Sequence, residues 1–565
     1  MSLPASPPSQ SEQTAAQALV AQLIAQKVRH VFCVPGESYL AVLDALYDSG
    51  IQVTSCRNEG GAAMMAEAYG KATGRPGICF VTRGPGATNA SAGIHIAHQD
   101  STPLILFVGQ VERKAKDRDS FQELDYRAVF GSMTKWTAEI GDPTRMAEYV
   151  GRAFSTAMAG RPGPVVLALP RDVLTGKAQA HDPQFIEALE TAPAPAQIAH
   201  LADLIAEARR PLLLLGGGRW TPQACAAATR FAERFQMPVA TSYRRSPLFH
   251  PAHPNYAGDL GLAPNPKLLA RAKASDLVIV AGARLNETTS QGYTLFDIPQ
   301  PQTKLVHVYP GAEELGRIWQ AHLAIHASPQ RFAEALDGLT PRSTPVWADE
   351  ARTAHEDYLA WSETPVPQPG AVNLSAIMIW LRENLPDDTI LCNGAGNYAS
   401  WIHRFYRFRH FATQIAPISA SMGYGVPAAV AMQQLHPQRK VISINGDGDF
   451  LMNGQEFATA VQYKLPIIVL VFDNSLYGTI RMHQEREYPG RVIATELVNP
   501  DFAAYARSFG GFGAVVEKTE DFAPAFRAAE TSGLPSILHV KYDGEGITPV
   551  STLSGIRAQA TARQA

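Results

Sequence analysis

Asn445-Gly446-Asp447-Gly448-Asp449-Phe450 follows an apolar run from Lys440 to Ile444 and precedes a second apolar run that ends at Asp473-Asn474. The glycines allow backbone N–H groups close to phosphate oxygens, and a helix expected to begin near Asn453 points its positive end at the same anion. Asp447 and Asn474 offer two hard oxygen ligands from the ends of neighbouring strands, one strand–helix–strand unit apart. The stretch therefore predicts a parallel-sheet domain carrying a clamp for a diphosphate and a magnesium ion. A lone Gly-Asp-Gly turn is weak support, since most such turns bind nothing.

Working outward, strand-like runs alternate with helical stretches along the whole chain. They fall at 31–34, 78–81, 104–108 and 165–169; then at 212–215, 239–241, 277–280 and 305–308; then at 389–392, 441–444, 467–472 and 537–540. Proline-bearing breaks at 191–196, 341–345 and 365–370 separate the three groups. The expected fold class is α/β, with three consecutive doubly wound parallel-sheet domains at 13–190, 197–340 and 371–545. A Pro- and Ser-rich arm at 1–12 reads as disordered rather than as a signal peptide, and a polar tail occupies 546–565.

At 565 residues the chain is too long for one core. Its formal charge of −3 supplies no basic field, so neither nucleic acid nor an anionic membrane is expected as a partner. Five scattered cysteines without a Cys-x-x-Cys pair read as buried, reduced thiols, and no run is long enough to span a bilayer. A soluble cytoplasmic enzyme is the expectation.

Further segments carry a resemblance. Cys56-Arg57-Asn58-Glu59-Gly60-Gly61-Ala62-Ala63, Thr82-Arg83-Gly84-Pro85-Gly86-Ala87-Thr88-Asn89, Gly109-Gln110-Val111, Phe121-Gln122-Glu123, Thr134-Lys135-Trp136 and Ser421-Met422-Gly423-Tyr424-Gly425 occur in order with the Gly-Asp-Gly stretch. Together they resemble the acetolactate synthase family of thiamine diphosphate enzymes over nearly the whole chain. The resemblance implies that the three domains bind the aminopyrimidine, form a middle domain, and bind the diphosphate. It makes Glu59 the carboxylate that hydrogen-bonds the cofactor's aminopyrimidine, with Gly86 and Asn89 beside it. Met422 becomes the apolar wedge between the two cofactor rings, and the carbonyl of Ala420, where the family more often has glycine, receives the amino group. Gly446, Asp447, Gly448, Asp449, Gly478 and Thr479 join the cofactor site, with Gly396 and Asn397 as further phosphate contacts. The metal set is Asp447, Asn474 and the carbonyl of Leu476. Phe121, Gln122 and Lys135 fall on the substrate side, and a homodimer or homotetramer with sites at the subunit interface follows.

Three departures bear on substrate. Gly36-Glu37-Ser38 replaces the Gly-Gly-Ala of biosynthetic members, so Glu37 would repel a 2-oxo acid, act as an acid/base, or pair with an arginine. Thr479 and His483 replace an acceptor-pocket methionine and tryptophan, leaving His483 as a proton shuttle or a structural histidine. Gly282-Ala283-Arg284 lacks the acidic pair of FAD-binding members, and Gly216-Gly217-Gly218 is too short to establish a dinucleotide site, so FAD stays open. The expected activity is decarboxylation of a 2-oxo acid such as pyruvate and ligation of the remaining fragment to a second carbonyl. The alternatives are C–C cleavage of a diketone or 2-hydroxy ketone, simple 2-oxo acid decarboxylation, and a catalytically dead scaffold.

Overall fold

Every residue of the strand Leu104–Gln110 is buried, with no polar alternation, as in a parallel sheet covered on both faces. In this computed structural model, which describes residues 12–180 and 182–564, that strand lies within a six-stranded sheet. The order is Gln52–Ser55, His30–Cys33, Gly77–Val81, Leu104–Gln110, Pro164–Pro170, Trp136–Glu139, and every pairing is parallel. A second parallel sheet runs Tyr256–Leu260, Val239–Ser242, Pro211–Leu215, Leu277–Ala281, Lys304–Tyr309, Leu323–His326. The third runs Gln414–Ile415, Ile390–Asn393, Val441–Gly446, Ile468–Asp473, Ser536–Lys541, Phe512–Val516. The fold is thus α/β with three parallel-sheet domains. The chain divides into two compact units after Leu189, the first holding one six-stranded sheet and the second two.

Topology positions the sites. In the third sheet the chain leaves Ile390–Asn393 for the edge strand Gln414–Ile415, then returns to Val441–Gly446 on the other side. The order reverses there, and a crevice opens beyond the carboxyl ends of those two strands. In the first sheet the same reversal lies between His30–Cys33 and Gly77–Val81.

Several expectations are corrected. The helix after the Gly-Asp-Gly turn spans Asp447–Asn453, so it ends where it was expected to begin. Gly446 is extended and serves as its N-cap, and Asp447 and Asp449 in the first turn suit the helix dipole. Of the arm expected at 1–12, residues 1–11 lie outside the described residues. Glu12, however, opens a strand, Glu12–Thr14, paired antiparallel with Lys177–Gln179. The tail is ordered as a helix, Leu553–Gln564. All five cysteines are free and four are buried, but Cys225 is partly exposed. Among the described residues no helix is long and apolar enough to cross a membrane.

Candidate active site

In the first unit, Asn58 is extended and its side chain accepts the N–H of Gly60, which starts the helix Glu59–Thr73 with Glu59 as first residue. That helix packs on Gly84–Asp100 through small residues. A Cβ on Gly93 would lie 2.4 Å from the Ala63 Cβ, so the two backbones approach directly. The approach brings Asn89 to Glu59: its Nδ2 donates to Oε2 at 2.9 Å. A Cβ on Gly86 would stand 3.2 Å from the other carboxylate oxygen, so this glycine leaves Glu59 room.

Glu37 follows the strand at the sheet's reversal and accepts from Arg83 Nη2 at 2.9 Å, with its side chain 69% exposed. Arg83 also donates to the Phe121 carbonyl at 3.1 Å, and the Gln122 carbonyl accepts the N–H of Gly84. Glu37, Phe121 and Gln122 therefore share one arginine and its neighbour. Lys135 is not brought to them. It precedes Trp136–Glu139, at the opposite rim of the sheet from Glu59, and its ammonium donates to the Ala159 carbonyl that ends the helix Met146–Met158.

In the second unit, a cavity of about 580 Å³ opens at the reversal point of the third sheet and falls within the usual range for small-molecule sites, roughly 300–1,000 Å³. Gly396, Asn397, Ala420, Met422, Gly446, Asp447, Gly448, Asp449, Asn474, Leu476, Gly478, Thr479 and His483 all line it. Two helices start on it without a side-chain cap, Asp447–Asn453 and Gly478–Glu487, so their first N–H groups suit an anion. Asn397 and Thr479 are joined, the threonine hydroxyl donating to Asn397 Oδ1 at 2.9 Å and accepting its N–H at 3.1 Å.

Asp449 is almost fully buried and ties three segments together. Its Oδ1 accepts from Gly423 N–H at 2.7 Å and Ala395 N–H at 3.3 Å, and its Oδ2 accepts from Tyr398 Oη at 2.7 Å. Burial pushes its carboxyl up to about 6 even though these donors favour the charge. Holding Gly423 fixes the neighbouring Met422. Ala420 sits at φ +54°, the left-handed region, which accounts physically for glycine as the commoner choice there. Asp449→Ala is expected to leave three donors unpaired and to lower the free energy of unfolding by about 2–4 kcal/mol; an unshifted urea midpoint would contradict the tie.

Asp447 is buried beside Asp473, and Asn499 Nδ2 donates to both at 2.8 Å. His539 Nε2 lies 2.8 Å from the other Asp473 oxygen. Burial, then the Asp473 charge, push the Asp447 carboxyl up. Burial also opposes ionisation of Asp473, but bonds from His539, Asn499 and Ser475 outweigh it and hold that carboxyl down. One carboxylate, the Asn474 amide and the Leu476 carbonyl lie on this cavity and could offer oxygen donors of the kind that suit magnesium. Among the described residues no group of three His, Cys, Asp or Glu forms a metal cluster of its own.

Asn499, Asp473, His539 and Arg244 were not foreseen. Buried Arg244 donates to the carbonyls of Pro417 and Gly394 and so pins the loops at the cavity rim. Asp473 stood inside the quoted Asp473-Asn474 pair; the other three carry no local sequence signal.

Models of thiamine pyrophosphate enzymes match the chain in three segments, each within one of the sheet domains: the N-terminal TPP binding domain at 13–129, the central domain at 198–336 and the C-terminal TPP binding domain at 394–540. The acetolactate synthase isozyme 2 large subunit of Escherichia coli K12 is 30% identical over 94% of this chain and 95% of its own length. The acetolactate synthase large subunit of Parasynechococcus marenigrum is 31% identical over 93% and 87% respectively. The chain belongs to the acetolactate synthase family of thiamine diphosphate enzymes. In the middle domain Gly217 and Gly282 serve packing. A Cβ on Gly217 would lie 1.8 Å from the Gly282 carbonyl, and Arg284 pairs with Glu314 at 3.3 Å.

The tail adds a support for this family site. Arg557 makes a two-pronged pair with buried Glu485, its Nε at 2.7 Å, on the helix that carries Thr479 and His483. The Arg557 bond lowers the Glu485 carboxyl to about 2 from 4.5. The anchor is therefore at full strength above about 4.5 and is lost only as pH falls through about 2. Arg557→Ala is expected to reduce kcat/KM roughly tenfold with near-normal folding, and Arg557→Lys to restore part of it; equal activity of all three proteins would remove the tail from this role.

Proposed function

We propose that the protein is a thiamine diphosphate- and magnesium-dependent carboligase that decarboxylates a 2-oxo acid such as pyruvate and ligates the remaining fragment to a second carbonyl. The observation that carries this is the single cavity at the third sheet's reversal point, which gathers the diphosphate-side and metal candidates. Thiamine diphosphate, when bound, would supply a nucleophilic carbon to add to the substrate carbonyl and a cationic ring to take up the electron pair left when CO2 departs. Glu59 holds the aminopyrimidine in its basic form, and Asn89 keeps the carboxylate aimed. Met422, whose neighbour Gly423 is held by Asp449, would be the apolar wedge between the cofactor's rings. Asp447, Asn474 and the Leu476 carbonyl would hold magnesium, and Gly446, Gly448, Gly478, Thr479, Gly396 and Asn397 would hold the diphosphate.

Gln122 orients the developing alkoxide, with Phe121 at the entrance. Lys135 acts at most by supporting its helix end. The Glu37–Arg83 pair offsets the negative charge that would repel a 2-oxo acid carboxylate, and this favours the oxo-acid reading over cleavage of a neutral ketone. The complete site combines the first domain of one subunit with the third of another, in a homodimer or homotetramer. No role is assigned to FAD.

The test is incubation of purified protein with thiamine diphosphate, Mg2+ and pyruvate. CO2 and acetolactate forming in step support the proposal. CO2 with free aldehyde makes the protein a simple decarboxylase, and neither product from cofactor-bound protein moves the reading to a neutral ketone substrate.

A further inference from the structure

A second cavity, about 540 Å³, lies beside the tail. Its apolar walls include Trp361, Trp401, Pro367 and Ile556, and no carboxylate lines it. The turn Thr548–Ser551, closed by a backbone bridge, borders both this cavity and the candidate active site.

Three hydrogen-bond donors belong to residues that line this cavity. Trp401 is fully buried, and its indole N–H finds no hydrogen-bond partner among the described residues. Gln368 is in the same position at Nε2, while its Oε1 accepts the Leu374 N–H at 3.0 Å, which fixes the amide so that the free end is the donor. Arg404 stacks on Trp361, its guanidinium carbon 3.6 Å from a ring centroid, and its Nε donates to the Trp361 carbonyl at 2.9 Å. Among the described residues no carboxylate pairs with Arg404 within salt-bridge distance. Burial lowers its pKa, which accords with a cation in need of an anion. A pocket with aromatic walls, a cation and two unpaired donors among its lining residues is complementary to an anion with an apolar body.

We propose that this cavity is a binding site for a small carboxylate bearing an aromatic or branched apolar group. The carboxylate engages Arg404 with Trp401 and Gln368, and the apolar body lies against the tryptophan and proline walls. This goes beyond the carboligase reading, since none of these residues is among the cofactor candidates and binding is measured without turnover.

The test is calorimetric titration of the cofactor-loaded protein with benzoate, benzyl alcohol and inorganic phosphate. Benzoate is expected to bind saturably, with benzyl alcohol and phosphate each at least about tenfold weaker. Arg404→Gln and, separately, Trp401→Phe are expected to weaken benzoate by about tenfold while thiamine diphosphate affinity holds. If Arg404→Gln fails to fold, Gln368→Glu keeps an acceptor for Leu374 and turns the free donor into a repelling anion, with the same expected loss. Equal binding of benzyl alcohol, or benzoate affinity unchanged in these variants, would overturn the proposal. So would phosphate binding as tightly as benzoate, because the apolar walls would then contribute nothing.

Discussion

Glu59→Gln is expected to cost roughly a hundred- to ten-thousand-fold in turnover while thiamine diphosphate stays bound. The substitution keeps the side chain's shape, and Asn89 can still bond the amide oxygen at the 2.9 Å contact. Asn58 still caps the helix through Gly60 N–H, so the backbone around the site has no reason to move. What is lost is the negative charge that, in the proposed role, would make the aminopyrimidine basic. Turnover on pyruvate and cofactor affinity, measured on the same preparation, separate the two effects. Full turnover would remove Glu59 from catalysis, and loss of cofactor affinity in step with activity would make it a binding residue instead.

Asp447→Asn should change stability in opposite directions with and without cofactor. Asp447 and Asp473 are buried together and bridged by Asn499, so without a cation their charges oppose each other. Removing one charge is expected to raise the melting temperature of the cofactor-free protein. With thiamine diphosphate and Mg2+ present the same variant should lose the stabilisation that a bound ligand confers on wild type. Its magnesium-dependent cofactor affinity should fall by more than the roughly 10–100-fold typical of changes to groups behind a metal's ligands. A melting temperature that moves the same way in both conditions would mean that the metal sits elsewhere, and a chelator added to wild type should mimic the loaded-state loss.

The sequence carried the strands well because buried parallel strands are continuous apolar runs, as at Leu104–Gln110. Asp447 and Asn474 were legible for a related reason: each follows directly on such a run, at a strand's carboxyl end. The helix start was misplaced because two glycines obscure a helix whose N-terminus is favoured by its own aspartates and by Gly446. Lys135 matched a motif, yet a motif does not say which rim of a sheet a residue occupies; parallel pairing with Pro164–Pro170 decides that. Asn499 and His539 reach Asp447 and Asp473 across long stretches of chain, so only folding reveals them.

The seam where Gly93 meets Ala63 bears on how this protein can evolve. Neither residue is a candidate for touching substrate or cofactor, yet any larger side chain at Gly93 would push apart the two helices that present Glu59 and Asn89 to each other. The small-residue run through both helices is therefore the imprint of a mechanical tolerance of a fraction of an ångström. Lineages exploring new substrates can rewrite the cavity walls far more freely than this seam.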